Sequence, residues 1–229
     1  MTTIASNLQA MLTTIRTVAR DAGRDETDIT LLAVSKNFPA DTIRTAYHAG
    51  QFRFAENYLQ EALDKMTALR DLPLEWHFIG PIQSNKTRAI AENFPWVHSV
   101  DRLKIAERLS AQRPVHLPPL QVCVQVNISG EASKSGASME ETVHLATLVA
   151  QLPRLKLRGL MAVPAPSDDI TTQRTAFAAL RALRDRLNQQ GLQLDTLSMG
   201  MSHDYRAAIA EGATLLRIGT AIFGNRTYS

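Results

Sequence analysis

The sequence predicts an α/β fold: a (β/α)8 TIM barrel preceded by an extra N-terminal helix. Three observations carry that expectation. Strand-like apolar runs alternate with helical patterns from end to end, the signature of βα units around a parallel sheet. Eight such runs occur in 229 residues, close to the ~250 typical of a barrel. The polar residues able to carry chemistry fall at or just beyond the C-terminal ends of those runs, the face on which barrels build their sites. An open doubly wound sheet is the alternative that the same pattern allows.

The chain begins with Ile4, Leu8, Met11, Leu12, Ile15 and Val18 at helical spacing. This is an amphipathic helix and not the basic-then-apolar order of a secretory signal. The predicted strands are then Ile29–Ser35, Phe52–Ala55, Glu75–Ile79, Val97–Val100, Leu120–Ile128, Leu157–Val163, Leu194–Met199 and Thr214–Ile218. The first, fifth and sixth are nearly continuous apolar runs, as strands buried on both faces require. Between them lie apolar stripes such as Leu59, Ala62, Met66 and Leu69, or Phe177, Leu180, Leu183 and Leu187. On the second of these helices, Arg174, Arg181, Arg184 and Asp185 read as a solvated face.

No Gly-, Ser- or Pro-rich linker divides the chain, so one domain spanning 1–229 is expected. Formal net charge is +3 and the 25 Lys and Arg residues are scattered, which gives no electrostatic footprint for nucleic acid. No stretch approaches the ~20 apolar residues of a membrane span. The single cysteine, Cys123, fits a reducing compartment, and a cytoplasmic, monomeric protein is expected. The six histidines show no metal-ligand spacing, and neither a P-loop nor a G-x-S-x-G elbow is present.

Among the polar residues, Lys36 comes first. It closes the run LLAVSK just before Pro39, so the predicted strand delivers its amine to the barrel mouth. Desolvation there favours a neutral amine able to form a Schiff base; a stem packed in the mouth with a solvated ammonium is the plainer alternative. In SMGMSHDYRAAIAEG, Gly200 supplies a turn and Ser202 reads as the N-cap of a helix from His203 to about Ala210, with Asp204 in its first turn. Gly219 and Thr220 in RIGTAIFG add a second set of donors after the eighth strand. Loops after strands seven and eight of barrels often hold phosphate. Arg217, at the end of the eighth strand, needs an acceptor: a carboxylate, or the ring nitrogen of a bound pyridine. His77 reads as a hydrogen-bonded structural histidine, and Lys134 lies in an accessible polar loop.

The segments LLAVSKNFP, FAENYLQEALDK, EWHFIGPIQSNK, VNISGEASKSG, LRGLMAVPAP, LSMGMSHD and LRIGTAIFG stand in the order seen in the pyridoxal phosphate homeostasis proteins. The resemblance covers the chain from about residue 4 to Ser229. It implies the type III pyridoxal 5'-phosphate (PLP) fold, similar to the barrel domain of alanine racemase without the β-domain that follows it. By this resemblance Lys36 holds PLP as a Schiff base. Met201, Ser202, Gly219 and Thr220 hold its phosphate, Arg217 stands at the pyridine nitrogen, and Asn57, His77, Met161 and Ser198 line the ring. Two departures are Ala55, where a Gly is usual, and His203, where an Asp is common.

Two function classes follow from the resemblance. One is a PLP carrier that buffers or delivers the cofactor, with PLP-dependent apo-enzymes as recipients. The other is a racemase-like PLP enzyme, which needs acid and base groups on opposite faces of its substrate. The tyrosine that a racemase brings from its second domain has no replacement here. A barrel aldolase using Lys36 on a phosphorylated sugar is the reading without PLP.

Overall fold

The computed structural model of the chain describes residues 3–131 and 134–224. The expected domain's ends, residues 1–2 and 225–229, and residues 132–133 of the polar loop lie outside them. The predicted N-terminal helix is α1 (Ile4–Asp21), started by a reciprocal cap: the Ser6 N–H donates to Thr3 Oγ1 at 3.1 Å and the Thr3 N–H to Ser6 Oγ at 2.9 Å. Its apolar face, led by Leu8, Met11, Ile15 and Val18, is buried.

Eight parallel strands follow: β1 (Thr30–Val34), β2 (Arg53–Glu56), β3 (Glu75–Phe78), β4 (Trp96–Val100), β5 (Leu120–Val126), β6 (Leu155–Ala162), β7 (Thr196–Ser198) and β8 (Leu215–Ile218). They pair in sequence order and close on themselves through β1 and β8. The barrel and not the open sheet is therefore formed. Closure satisfies every strand edge, which an open sheet leaves exposed.

The strands alternate with α2 (Ala40–His48), α3 (Leu59–Ala68), α4 (Thr87–Asn93), α5 (Leu103–Gln112), α6 (Met139–Ala150), α7 (Ile170–Gln189) and α8 (Tyr205–Ala210), and α9 (Thr220–Phe223) follows β8. α1 packs against α9, α2 and α8. The main core lies between sheet and helices, where Phe54, Phe78, Phe94 and Phe177 are fully buried. Each such side chain contributes about 1.5–3 kcal/mol on burial.

Several boundaries differ from expectation for local reasons. The seventh strand begins at Thr196 and not Leu194, because the Asn188 side chain takes both the N–H and the C=O of Leu194, at 2.7 and 2.9 Å. The fifth ends at Val126, where the Asn127 N–H turns to the Ala137 carbonyl. α8 begins at Tyr205 with Asp204 as its N-cap, so Ser202 does not cap it. The arginine face of α7 is more than solvated: Arg174 and Arg181 both pair with the buried carboxylate of Glu211, at 2.7 and 2.9 Å.

The barrel interior is small and mixed. Leu32, Val34, Ala55 and Leu215 form its apolar part, with Ile79 and Trp96 against them. Beside them stand His77, stacked on Trp96 with ring centroids 5.3 Å apart, and His98. Barrel interiors are usually filled by Val, Ile and Leu, so two buried imidazoles mark a polar column in this one.

Candidate functional site

The first candidate side chain, Lys36, is placed by the loop after β1. The chain leaves the strand at Ser35, and Asn37 takes a left-handed conformation, φ 65°, which Asn tolerates better than most residues. Lys36 lies between them and is held from both sides. The Lys65 ammonium of α3 donates to the Ser35 carbonyl at 2.8 Å, and Glu61 of α3 accepts the N–H of Asn37. Lys65 also bonds Glu56 Oε1 at 2.7 Å and Glu61 Oε1 at 2.6 Å, while the Ser35 hydroxyl donates to Glu56 Oε1 at 2.6 Å. Burial pushes the Glu56 carboxyl up, and the Lys65 charge opposes that. A buried lysine and carboxylate thus share their charge around the backbone that carries Lys36.

The other walls come from the ends of β2, β3, β6, β7 and β8. With Lys36 they enclose a cavity of about 370 Å³. Of the expected site residues, Lys36, Asn57, Met161, Met201, Ser202, Arg217, Gly219 and Thr220 all line it. Two close packings shape it. A Cβ on Gly80 would lie 2.0 Å from the Asn57 carbonyl oxygen, so only glycine lets the end of β3 approach Asn57. Gly200, at φ 96°, turns the chain between β7 and the Met201–Ser202 loop.

The two expected phosphate segments do meet at the cavity, although not as helix capping had suggested. The Met201 N–H is taken by Asp204 Oδ1 at 2.6 Å, which fastens the loop and leaves that amide engaged. Gly219 is the N-cap of α9, whose first amides have no intrahelical acceptor. Ser202 and Thr220 bring hydroxyls to the same wall.

Arg217 is buried and its acceptors are not a carboxylate. Its guanidinium donates to the Ser198 carbonyl at 2.6 Å, the Ser198 hydroxyl at 2.8 Å and the Ala162 carbonyl at 2.9 Å. Burial pushes its pKa down to about 10, so it remains a cation at neutral pH. Asn57 Oδ1 is buried with no partner among the described residues.

His77 and Ser198 do not line this cavity. Ser198 lies beneath Arg217 as its acceptor, and His77 lies deeper, bonded to His98 at 2.9 Å and Glu75 at 3.0 Å, where it reaches a second opening at the base of the barrel. Alternation along the chain explains His77: it stands two positions before Ile79, which lines the mouth cavity, and so sits one layer below it. Lys134 is not on the cavity wall either; its ammonium lies 3.8 Å from Glu131. Lys65, Glu56 and His98 were not singled out from the sequence. Lys65 had a legible signal, since it falls between Ala62 and Leu69 on the apolar stripe of α3.

Among the described residues no helix is long and apolar enough to cross a membrane, and no cluster of three His, Cys, Asp or Glu could hold a metal ion. Fold and site together define a (β/α)8 barrel with a lysine, an arginine and two hydroxyl-bearing loops around one mouth cavity. The family described as alanine racemase, N-terminal domain, matches residues 6–227. Along its whole length the chain is 62% identical to a pyridoxal phosphate homeostasis protein of Pseudomonas aeruginosa, covering 98% of that protein, and 52% identical to one of Escherichia coli K12, covering 99%. PipY of Synechococcus elongatus, solved with PLP bound, superposes with a TM-score of 0.84 at 38% identity over 96% of this chain and 100% of that one. An alanine racemase of Corynebacterium glutamicum, at 19% identity and a TM-score of 0.69 over 94% of this chain and 60% of that one, shares the fold. The chain belongs to the pyridoxal phosphate homeostasis protein family, within the alanine racemase N-terminal domain family.

Proposed function

We propose that this chain binds PLP in the mouth cavity, holds it on Lys36 as a Schiff base, and serves as a monomeric, single-domain cytoplasmic carrier that buffers PLP and passes it to PLP-dependent apo-enzymes. The observation that carries the reading is the convergence of Lys36, Arg217, Ser202 and Thr220 on one cavity of about 370 Å³, within the ~300–1,000 Å³ usual for small ligands. The residues present fit the group. The Ser202 and Thr220 hydroxyls suit a phosphate, and Arg217 suits a ring nitrogen lone pair.

PLP supplies an aldehyde, with which a lysine amine condenses with loss of water. The chain's own part is to bind and orient. The Lys65 and Glu61 contacts fix the backbone on either side of Lys36, which lowers the entropy cost of presenting its amine. Arg217, held by two carbonyls and a hydroxyl, keeps a fixed positive charge at the cavity wall, which disfavours a proton on a neighbouring ring nitrogen and so weakens the ring as an electron sink.

That supports a carrier over a racemase-like enzyme. The ionisable side chains on the wall are Lys36, His203 and Arg217, and His203 is solvent-exposed. The names of the relatives, homeostasis proteins, point the same way. The test is an absorption spectrum of the purified protein with added PLP, then borohydride reduction and peptide mass mapping. A visible absorption band and a reduced adduct on Lys36, absent from Lys36→Ala, are expected, with no turnover of amino acids. An adduct on another lysine, or failure to take up PLP, would overturn the assignment.

A further inference from the structure

A continuous file of hydrogen bonds runs through the barrel from its mouth to its base. Arg217 of β8 bonds Ser198 Oγ at 2.8 Å, and Ser198 Oγ lies 2.7 Å from His98 Nδ1 on β4. His98 Nε2 lies 2.9 Å from His77 Nδ1 on β3, and His77 Nε2 lies 3.0 Å from Glu75 Oε1. Arg53 of β2 anchors the far end, its Nε 2.9 Å from the same carboxylate oxygen. Glu75 lies at the edge of a basal cavity of about 1070 Å³, at the opposite end of the barrel from Lys36.

The ends of the file decide its direction. A guanidinium can only donate and a carboxylate can only accept. With Arg217 donating to the Ser198 hydroxyl, that hydroxyl's own proton goes to His98 Nδ1. His98 then carries its proton on Nε2 and donates to His77 Nδ1, and His77 carries its proton on Nε2 and donates to Glu75. The reverse order would leave the Ser198 proton unused and turn a ring lone pair onto the Glu75 carboxylate. Burial holds the His77 imidazole below its usual range and that of His98 well below, so both rings are neutral. The His77 hydrogen bond keeps the Glu75 carboxyl below its own range.

We propose that Glu75, His77 and His98 are positioning residues: the carboxylate at the base of the barrel fixes one direction of hydrogen bonding up to the Ser198 hydroxyl, and thereby orients Arg217 in the mouth. The basal cavity and the mouth are coupled by this file. The proposal rests on the PLP reading only for its effect on the cofactor, since the file exists in the protein alone.

Long-range proton–nitrogen NMR of the imidazoles in the cofactor-free protein, near neutral pH, tests it directly. Both His77 and His98 should be Nε2–H tautomers. Glu75→Leu should shift or mix them, and Glu75→Gln, whose amide oxygen still accepts, should keep them. If Glu75→Leu does not fold, Ser198→Ala removes the donor to His98 Nδ1 and should leave both tautomers as they are, because Glu75 still fixes them from the base through His77. In the PLP-loaded protein, Glu75→Leu should weaken PLP binding about fivefold, the effect of roughly one hydrogen bond, and move the cofactor's absorption maximum; Glu75→Gln should restore both. A His98 Nδ1–H, a cationic ring, tautomers indifferent to Glu75→Leu, or tautomers changed by Ser198→Ala would overturn the file. Altered tautomers with unaltered PLP binding would overturn its positioning role. Tautomers as assigned in a protein that takes up no PLP would overturn the function proposed above and leave the file standing.

Discussion

The ammonium of Lys65 donates to the carbonyl of Ser35 at 2.8 Å, one residue before Lys36. A second lysine, buried and paired with Glu56 and Glu61, therefore sets the backbone from which Lys36 projects. One is a structural cation and the other stands at the cavity, and the fold tells them apart by burial.

Lys65→Met should leave Glu56 buried without its counter-charge. Removing one partner of a buried pair typically costs about 3–5 kcal/mol, and urea unfolding should show a loss of that size. Lys65→Met with Glu56→Gln should lose less than Lys65→Met alone, because the stranded charge is gone.

Gly80→Ala should act on the cavity through the backbone. Its Cβ would lie 2.0 Å from the Asn57 carbonyl oxygen, a contact that moves main chain and not a flexible tip. A stability loss of about 2 kcal/mol or more is expected in thermal or urea unfolding, together with weaker PLP uptake as Asn57 shifts.

Ser202→Ala should weaken PLP retention about tenfold, the lower end of the loss of a hydrogen bond to a charged group, while pyridoxal lacking the phosphate should bind the two proteins alike. Equilibrium dialysis with both ligands measures this. Equal loss for both ligands would remove Ser202 from the phosphate side.

The stability of the protein should fall on mild acidification. The buried His98 has a folded pKa well below that of a free imidazole, so the unfolded chain takes up a proton first as pH drops. Its contribution is complete above the free value and is lost as pH falls from there toward the folded value, by up to about 1.4 kcal/mol per pH unit. Urea unfolding between about pH 5 and 6.5 should show this slope, and His98→Asn should flatten it, whatever its effect on stability at neutral pH.

Much of the fold was legible because parallel strands buried on both faces leave apolar runs too continuous to be surface, and the helices between them keep a one-sided stripe. The limits of β7 were not legible, since Leu194 looks like a strand residue until the Asn188 side chain is seen to hold it. At the site, Lys36, Arg217 and the loops at Ser202 and Gly219 stood out because a charge or a turn follows an apolar run. Glu56 and His98 did not, because a single polar residue in a short strand carries no sign of whether it faces barrel or helix.

By itself the sequence determined the βα alternation, the lysine at the end of β1 and the motif order that joins this chain to its family. Only the tertiary structure decided which residues share the barrel interior. His77 and His98 are 21 positions apart, and His98 and Ser198 are 100 apart; they meet because closing the sheet turns the inward faces of β3, β4, β7 and β8 onto one axis. A strand apolar on both faces has no pattern to say which face that is, so the column from Glu75 to Arg217 exists only once the barrel is closed.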